Sequence, residues 1–147
     1  MPDPTDLFPL CFVCGTDNPT GLHVPFSRGS AGESRAEYVA REEHVGWPEL
    51  IHGGVLFTLL DEAVAWAVMY SGFRGVTAKA EVRFRAPARV GMRLGIKGWV
   101  TAATPRAVRA RAEIRDGGDT GPIIADMEAM MAVTKGAGPV SDSTRPE

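Results

Sequence analysis

The stretch IHGGVLFTLLDEAVAWAVMY, residues 51–70, decides the fold. After its two glycines, the only side chains outside the apolar set are Thr58, Asp61 and Glu62. The pattern predicts a helix that begins at one of the two glycines and ends near residue 71, where further glycines follow. Because a helix that is apolar on nearly all sides must be covered, we expect it at the centre of the domain.

Strands on both sides of the helix complete an α+β architecture. After the helix, the period of the apolar residues changes from 3.6 to 2, which indicates half-buried antiparallel strands. The predicted strands are residues 22–26, 33–41, 79–85, 92–102, 108–114 and 122–134. One helix against one antiparallel sheet predicts a curved sheet of five or six strands wrapped around the helix. A chain of this size cannot cover that helix on all sides, so we also expect a partner subunit.

The length and charge limit the class of protein. The chain has 147 residues, 16 basic and 18 acidic, with a net charge of −2 and 44% hydrophobic residues. These values predict one folded domain and argue against a general nucleic-acid-binding protein, which is usually strongly basic. We predict an irregular lead-in at residues 1–10, a single domain at residues 11–135 and a flexible tail at residues 136–147.

The N-terminal sequence and the apolar helix bear on location. The chain starts with Pro2, Asp3 and Pro4, and has neither the basic start nor the apolar run of a signal peptide. The helix is shorter than the ~20 residues that a membrane span needs, and it carries two carboxylates. We therefore expect a cytoplasmic protein with no membrane partner.

The cysteines and histidines suggest little metal chemistry. Cys11 and Cys14 form a single C-x-x-C, and the three histidines are scattered. Cys11, Cys14 and His23 offer three zinc ligands, but turn residues follow the cysteines instead of a helix. We predict two reduced thiols in a turn and no metal.

The glycines at the helix start point to chemistry. Gly53 and Gly54 place free backbone N–H groups at the positive end of a helix dipole, where an oxyanion is stabilised. The alternative is that the glycines only let the chain turn tightly into the helix.

The two carboxylates inside the helix need a partner or a role, because burying an unpaired carboxylate is costly. Asp61 and Glu62 point about 100° apart, so they cannot face the same site. One of them is a candidate general base or nucleophile; the alternative is solvent, an arginine or a backbone amide as partner. Asp61 lies about 12 Å along the helix from Gly53, so both act on one substrate only if two helices pack antiparallel across a two-fold axis.

Three segments together resemble a known family. HGG at residues 52–54 followed by LLDEA at residues 59–63 resembles the hotdog-fold acyl-CoA thioesterases, in particular the phenylacetic-acid-pathway-like branch of the 4-hydroxybenzoyl-CoA thioesterase-like superfamily. Residues 77–91 are similar to the strand and turn that follow the family's helix. The N-terminal CFVCG and NPTGL, within residues 11–22, are similar to a lead-in of many members.

The resemblance implies roles for individual residues. The Gly53 amide would polarise the thioester carbonyl, His52 would orient the thioester, and Asp61 would activate water or attack the carbonyl. Thr77 would help to place the water, from the partner chain. The resemblance also implies a homodimer or homotetramer with sheets joined edge to edge, and no metal or other cofactor, coenzyme A being part of the substrate.

Further residues are candidates for substrate binding, and the loop before His52 departs from the family pattern at one position. The substrate-binding candidates are Gly54, Glu62, Arg83, Arg85 and Arg89, with arginines suited to the phosphates of coenzyme A. Some relatives carry an asparagine in the loop before His52, and this chain has Gly46 near that position. Either His44 or Glu49 takes over that role, or it is dispensable.

Three functions are consistent with the sequence. The first is hydrolysis of a small, medium or aromatic acyl-CoA. The second is a hotdog enoyl-CoA hydratase or dehydratase that uses His52 and Asp61. The third is acyl-CoA binding without catalysis.

Overall fold

Within residues 7–134, one long helix and six strands make up the fold. The computed structural model describes residues 7–134; the predicted tail at residues 136–147 and the first six residues of the lead-in lie outside this range. The elements are β1 (Phe26–Arg28), β2 (Ser34–Val39), α1 (Gly53–Tyr70), β3 (Gly75–Phe84), β4 (Arg93–Ala103), β5 (Ala107–Asp116) and β6 (Ile123–Val133), with short 3-10 turns at Ser30–Gly32 and Glu42–His44.

The strands form one antiparallel sheet in the order β1-β2-β4-β5-β6-β3. The prediction of an α+β fold with one long helix against a sheet of five or six strands is confirmed. Apolar residues on one face of β5 are buried, as their period of 2 predicts, and the side chains between them are exposed or half-buried. The chain passes from α1 to β3 at the far edge of the sheet, so β3 has a neighbour on one side only.

The helix packs most closely on the sheet at its midpoint. The Ser34 hydroxyl, completely buried on β2, donates a hydrogen bond of 2.6 Å to the carbonyl oxygen of Ala63. On the neighbouring strand, a Cβ at Gly98 would overlap the same carbonyl oxygen. Only glycine at position 98 and a small residue at position 34 let the helix backbone come this close. This contact fixes the height of α1 over the sheet.

One predicted strand is wrong. Of residues 22–26, only Phe26 belongs to a strand, and His23 has a left-handed φ of 55° that breaks an extended chain. The amides of Leu22 and Val24 bond to carbonyl groups of residues 12 and 13 instead of to the sheet. Leu22, Val24 and Phe26 are all buried, so their alternation reflects core contacts of an irregular segment.

Part of α1 and the β3 edge are open to solvent in the single chain. Eight of the eighteen helix residues are buried, and Phe57 is 38% exposed. On β3, Val76 and Phe84 are 59% and 55% exposed. By length and composition α1 also passes as a candidate membrane span, as core helices of soluble proteins do. The sheet covers one side of α1, and the N-terminal segment contacts Glu62 and Trp66.

Candidate functional site

The start of α1 has one unused hydrogen-bond donor. His52 is the N-cap: its Nδ1 accepts the N–H of Gly54 at 2.8 Å, and its carbonyl accepts the N–H of Val55 at 2.9 Å. The His52 amide itself donates to His44 at 2.9 Å. Within residues 7–134, the Gly53 N–H has no partner. A helix start presents four such amides, and here three are satisfied while Gly53 remains free.

The Gly53 amide is accessible. Gly53 is exposed, and a Cβ placed on it would meet only the Phe84 ring, at 3.6 Å. The capping bond also fixes the His52 ring: Nδ1 accepts the hydrogen bond from the Gly54 N–H, so the ring hydrogen lies on Nε2. The site thus presents a backbone N–H and an imidazole N–H on the exposed end of the helix.

Asp61 lies two turns further along α1, and its partner is Thr77. The Thr77 hydroxyl donates to Asp61 Oδ1 at 2.6 Å, across from α1 to β3. This bond forms within one chain, so Thr77 and Asp61 belong to the same half of any site that two chains share. Asp61 is half-buried and Thr77 exposed, which leaves the carboxylate reachable from outside the chain.

Glu62 has a different environment. It is half-buried and accepts a hydrogen bond from the Cys11 thiol, with 3.1 Å between Sγ and Oε2. Burial, and after it the contact with Cys11, raises the pKa of Glu62 to about 8. The structure therefore places Glu62 against the N-terminal segment and does not bring it together with Gly54, the other helix residue predicted to bind substrate.

The glycine at position 46, in the loop before α1, lies close to the His52 ring, and this contact explains why a larger residue is absent there. A Cβ at Gly46 would lie 3.1 Å from the His52 ring, so an asparagine does not fit without moving that ring. The His44 ring is hydrogen-bonded to Tyr38, with 2.6 Å between Nδ1 and the phenol oxygen. Burial lowers the pKa of His44. Glu49 adopts a left-handed φ of 67°, which is a strained conformation for glutamate.

The three candidate arginines differ in what they contact. Arg83 lies 3.6 Å from the Glu81 carboxylate, and Arg85 forms an ion pair with Asp126. Arg89 forms no ion pair within the described part of the chain. It borders a depression of about 650 Å³ in the loop region before α1, which Glu42 and Glu49 also line. Arg89 is therefore the arginine with a guanidinium available to an added anion.

The comparison with protein families decides the assignment. Residues 49–123 match the model of the thioesterase superfamily. The chain belongs to the thioesterase superfamily. The matched segment begins just before α1 and ends at the start of β6, so it contains His52, Gly53, Asp61 and Thr77. No curated protein matches the sequence.

Solved structures agree with the family and the hotdog fold. The thioesterase superfamily protein RHA08564 is 25% identical with a TM-score of 0.76, over 81% of this chain and 61% of that one. A hypothetical thioesterase of Streptococcus pneumoniae, solved with coenzyme A, is 21% identical with a TM-score of 0.71, over 80% and 88%. The PaaI protein of the Escherichia coli phenylacetic acid degradation operon is 19% identical with a TM-score of 0.72, over 82% and 84%. The chain thus spans less than two thirds of the first of these proteins.

Proposed function

We propose that the protein is an acyl-CoA thioesterase, which hydrolyses a small, medium or aromatic acyl-CoA to the free acid and coenzyme A. The observation that carries this proposal is the single free amide at Gly53, at the start of a helix whose other first-turn amides are satisfied. Such a donor stabilises the negative charge that develops on a thioester carbonyl oxygen under attack.

The reaction follows from the chemistry of these groups. The thioester oxygen accepts the Gly53 N–H, and the Nε2–H of His52 lies beside it to orient the thioester. Asp61 acts either as general base, taking a proton from the attacking water, or as nucleophile, forming an anhydride that water then opens. The carbon–sulfur bond breaks when the tetrahedral intermediate collapses, and the coenzyme A thiolate leaves and takes up a proton. Thr77 keeps the carboxylate in one orientation through its hydrogen bond to Oδ1.

The site is completed by a second copy of the chain. Gly53 and Asp61 are about 12 Å apart along one straight helix, whereas a reacting carbon must lie close to both groups. Antiparallel packing of two helices brings the Gly53 of one chain to the Asp61 of the other, in two equivalent sites. The exposed apolar side chains of Phe57, Val76 and Phe84 support a partner on this side of the molecule. A dimer of such dimers would be a homotetramer.

Names of structural relatives support the substrate class and the residues. The Streptococcus pneumoniae relative was solved with coenzyme A, and PaaI belongs to an operon for phenylacetic acid degradation. Two further structures of the Streptococcus pneumoniae protein carry alanine in place of one threonine or one aspartate. Those two positions are 16 residues apart, which is also the separation of Asp61 and Thr77. For the coenzyme A phosphates, Arg89 is the first candidate, with Arg83 and Arg85 behind it because each already pairs with a carboxylate.

A complementation experiment tests the shared site. Gly53→Pro removes the amide hydrogen, and Asp61→Asn removes the carboxylate charge, so each homodimer is expected to be inactive. The two chains are co-expressed with different tags and assayed by release of the coenzyme A thiol from an acyl-CoA panel. Random pairing gives heterodimers with one intact site, and the mixture should recover about one quarter of the wild-type activity per chain.

The controls separate the alternatives. Dimers in which both chains carry Asp61→Asn, each with a different tag, should stay inactive. If the mixed heterodimers are inactive although each variant folds and pairs, the two groups do not share a site across the interface. If wild type hydrolyses no thioester but adds water to an enoyl-CoA, the hydratase function replaces this proposal.

A further inference from the structure

Three ligand-type side chains meet at Glu62, which points about 100° around α1 from Asp61. Among the described residues, Cys11, Cys14 and Glu62 place one sulfur or oxygen atom each within 4.8 Å of the others. The Cys11 Sγ and Glu62 Oε2 are 3.1 Å apart, although the residues are 51 positions apart in sequence. His23, the third ligand considered from the sequence, is not part of the group; its Nε2 contacts the carbonyl of Asn18.

The turn that carries the cysteines is built rigidly. Its backbone closes with hydrogen bonds from Gly15 to Cys11 at 2.9 Å and from Asp17 to Pro9 at 2.9 Å. A Cβ at Gly15 would lie 2.5 Å from the Cys11 nitrogen, so only glycine fits after the second cysteine. The turn therefore holds both thiols toward α1 without help from a bound partner.

A buried N–H group lies beside the second sulfur atom. The Trp66 side chain is buried, and its Nε1 has no nitrogen or oxygen partner in the described chain. That N–H contacts the Cys14 sulfur. N–H groups directed at sulfur stabilise metal-bound thiolates.

Negative charge at this place lacks a protein cation. Within residues 7–134 no lysine or arginine forms an ion pair with Glu62, and Cys14 is 2% exposed. Two thiols and a carboxyl group that share one partly buried place are costly to ionise together. A divalent cation bound between the three groups lowers that cost, because it compensates two of the three charges.

We propose that Cys11, Cys14 and Glu62 bind one Zn²⁺ ion, with water as the fourth ligand. Two Zn–S bonds of about 2.3 Å and one Zn–O bond of about 2.0 Å require ligand atoms about 3.4–3.8 Å apart in a tetrahedron. The present separations, 3.1 Å for one pair and at most 4.8 Å for the others, reach this with small side-chain rotations. A thiolate-containing set selects Zn²⁺ over Mg²⁺ or Ca²⁺, which prefer oxygen ligands only.

The ion would have a structural role. It would tie the N-terminal segment to the middle of α1, at the residue next to Asp61. Glu62 and Asp61 point about 100° apart, so the metal faces away from the thioester site. Removal of the ion is therefore expected to loosen the segment before residue 23 without removing a catalytic group.

Metal binding is tested on the full-length, reduced protein after dialysis against a chelator. Co²⁺ is the spectroscopic probe, since thiolate ligation gives a charge-transfer band and tetrahedral geometry gives intense d–d bands. We expect one Co²⁺ per chain with the thiolate band, and its displacement by one equivalent of Zn²⁺. With Zn²⁺ bound, both cysteines should resist alkylation; the chain has no other cysteine.

Variants assign the ligands. Cys11→Ser should abolish the thiolate band or reduce it by half, and Glu62→Gln should weaken Zn²⁺ binding at least about tenfold. Asp61→Asn is the matched control, a neighbouring carboxylate on the same helix that should leave binding unchanged. Circular dichroism and thermal unfolding of each metal-free variant verify folding. The proposal is overturned if wild type gives no thiolate band with Co²⁺, or if folded Glu62→Gln binds Zn²⁺ as tightly as wild type.

Discussion

Replacing Gly53 by proline removes one hydrogen atom, the backbone amide hydrogen of the proposed site, and so tests its contribution to activity. Gly53 is the first residue of α1, a position where proline is favoured because its ring fixes φ near the helical value and no N–H bond is lost to the helix. The residue before a proline must be extended, and His52 already has φ −57° and ψ 132°. The nearest side chain, Phe84, lies 3.6 Å from a Cβ at this position. The substitution therefore removes the free N–H and little else.

The expected effect is large on activity and small on stability. Loss of one oxyanion donor typically costs about 2.7–4 kcal/mol of transition-state stabilisation, or roughly 10²–10³ in kcat. The free energy of unfolding should stay the same or rise by roughly 0.4–1 kcal/mol, since proline restricts the unfolded chain. Activity and stability are thus expected to move independently, which a misfolded variant would not show.

The assay compares kcat and kcat/KM on the best acyl-CoA substrate, with Gly53→Ala as the control. Alanine adds the Cβ but keeps the amide hydrogen, so any difference between the two variants reports on the N–H. Urea unfolding and light scattering verify that fold and assembly are retained. A kcat for Gly53→Pro within tenfold of that for Gly53→Ala would refute the role of this amide.

Two other predictions concern the support of the site. Thr77→Val keeps the shape of the side chain but removes its hydrogen bond to the charged Asp61. Such a bond contributes about 1.5–3 kcal/mol, so kcat should fall about 10- to 150-fold, while Thr77→Ser should stay near wild type. Equal kcat values for wild type, Thr77→Val and Thr77→Ser would show that this bond does not position Asp61. Gly98→Ala places a Cβ on the Ala63 carbonyl oxygen of the helix backbone, so urea unfolding should show a loss of about 1–3 kcal/mol. Gly53→Ala should lose much less, because its Cβ would meet only the Phe84 ring, at an ordinary contact distance of 3.6 Å.

Local sequence signals predicted most of the fold. The bounds of α1 and of β4, β5 and β6 agree with the predictions to within one or two residues, because apolar period and flanking glycines are local properties. The predicted strand at residues 22–26 failed for a physical reason: the same alternation arises when an irregular segment buries every second side chain. Periodicity reports burial, and only hydrogen bonds decide whether the segment is a strand.

The candidate site was less readable from sequence. Gly53 and Asp61 were recognised from the helix pattern, but the bond from Thr77 within the same chain depends on how β3 crosses beside α1. The Cys11–Glu62 contact joins residues 51 positions apart, and nothing in either local sequence signals the other. Gly46 differs from the asparagine that some relatives carry near this position. The physical reason, the His52 ring beside Gly46, depends on the folded structure and cannot be read from the sequence.

The close contact of Ala63 with the sheet has a consequence for how substrate preference can change. Ser34 and Gly98 hold the helix backbone two residues after Asp61, so this part of α1 is a fixed reference point for the carboxylate. Residues at the two ends of α1 and in the preceding loop are farther from that point. For the proposed thioesterase, substitutions there are expected to change the space for an acyl group while Asp61 keeps its place.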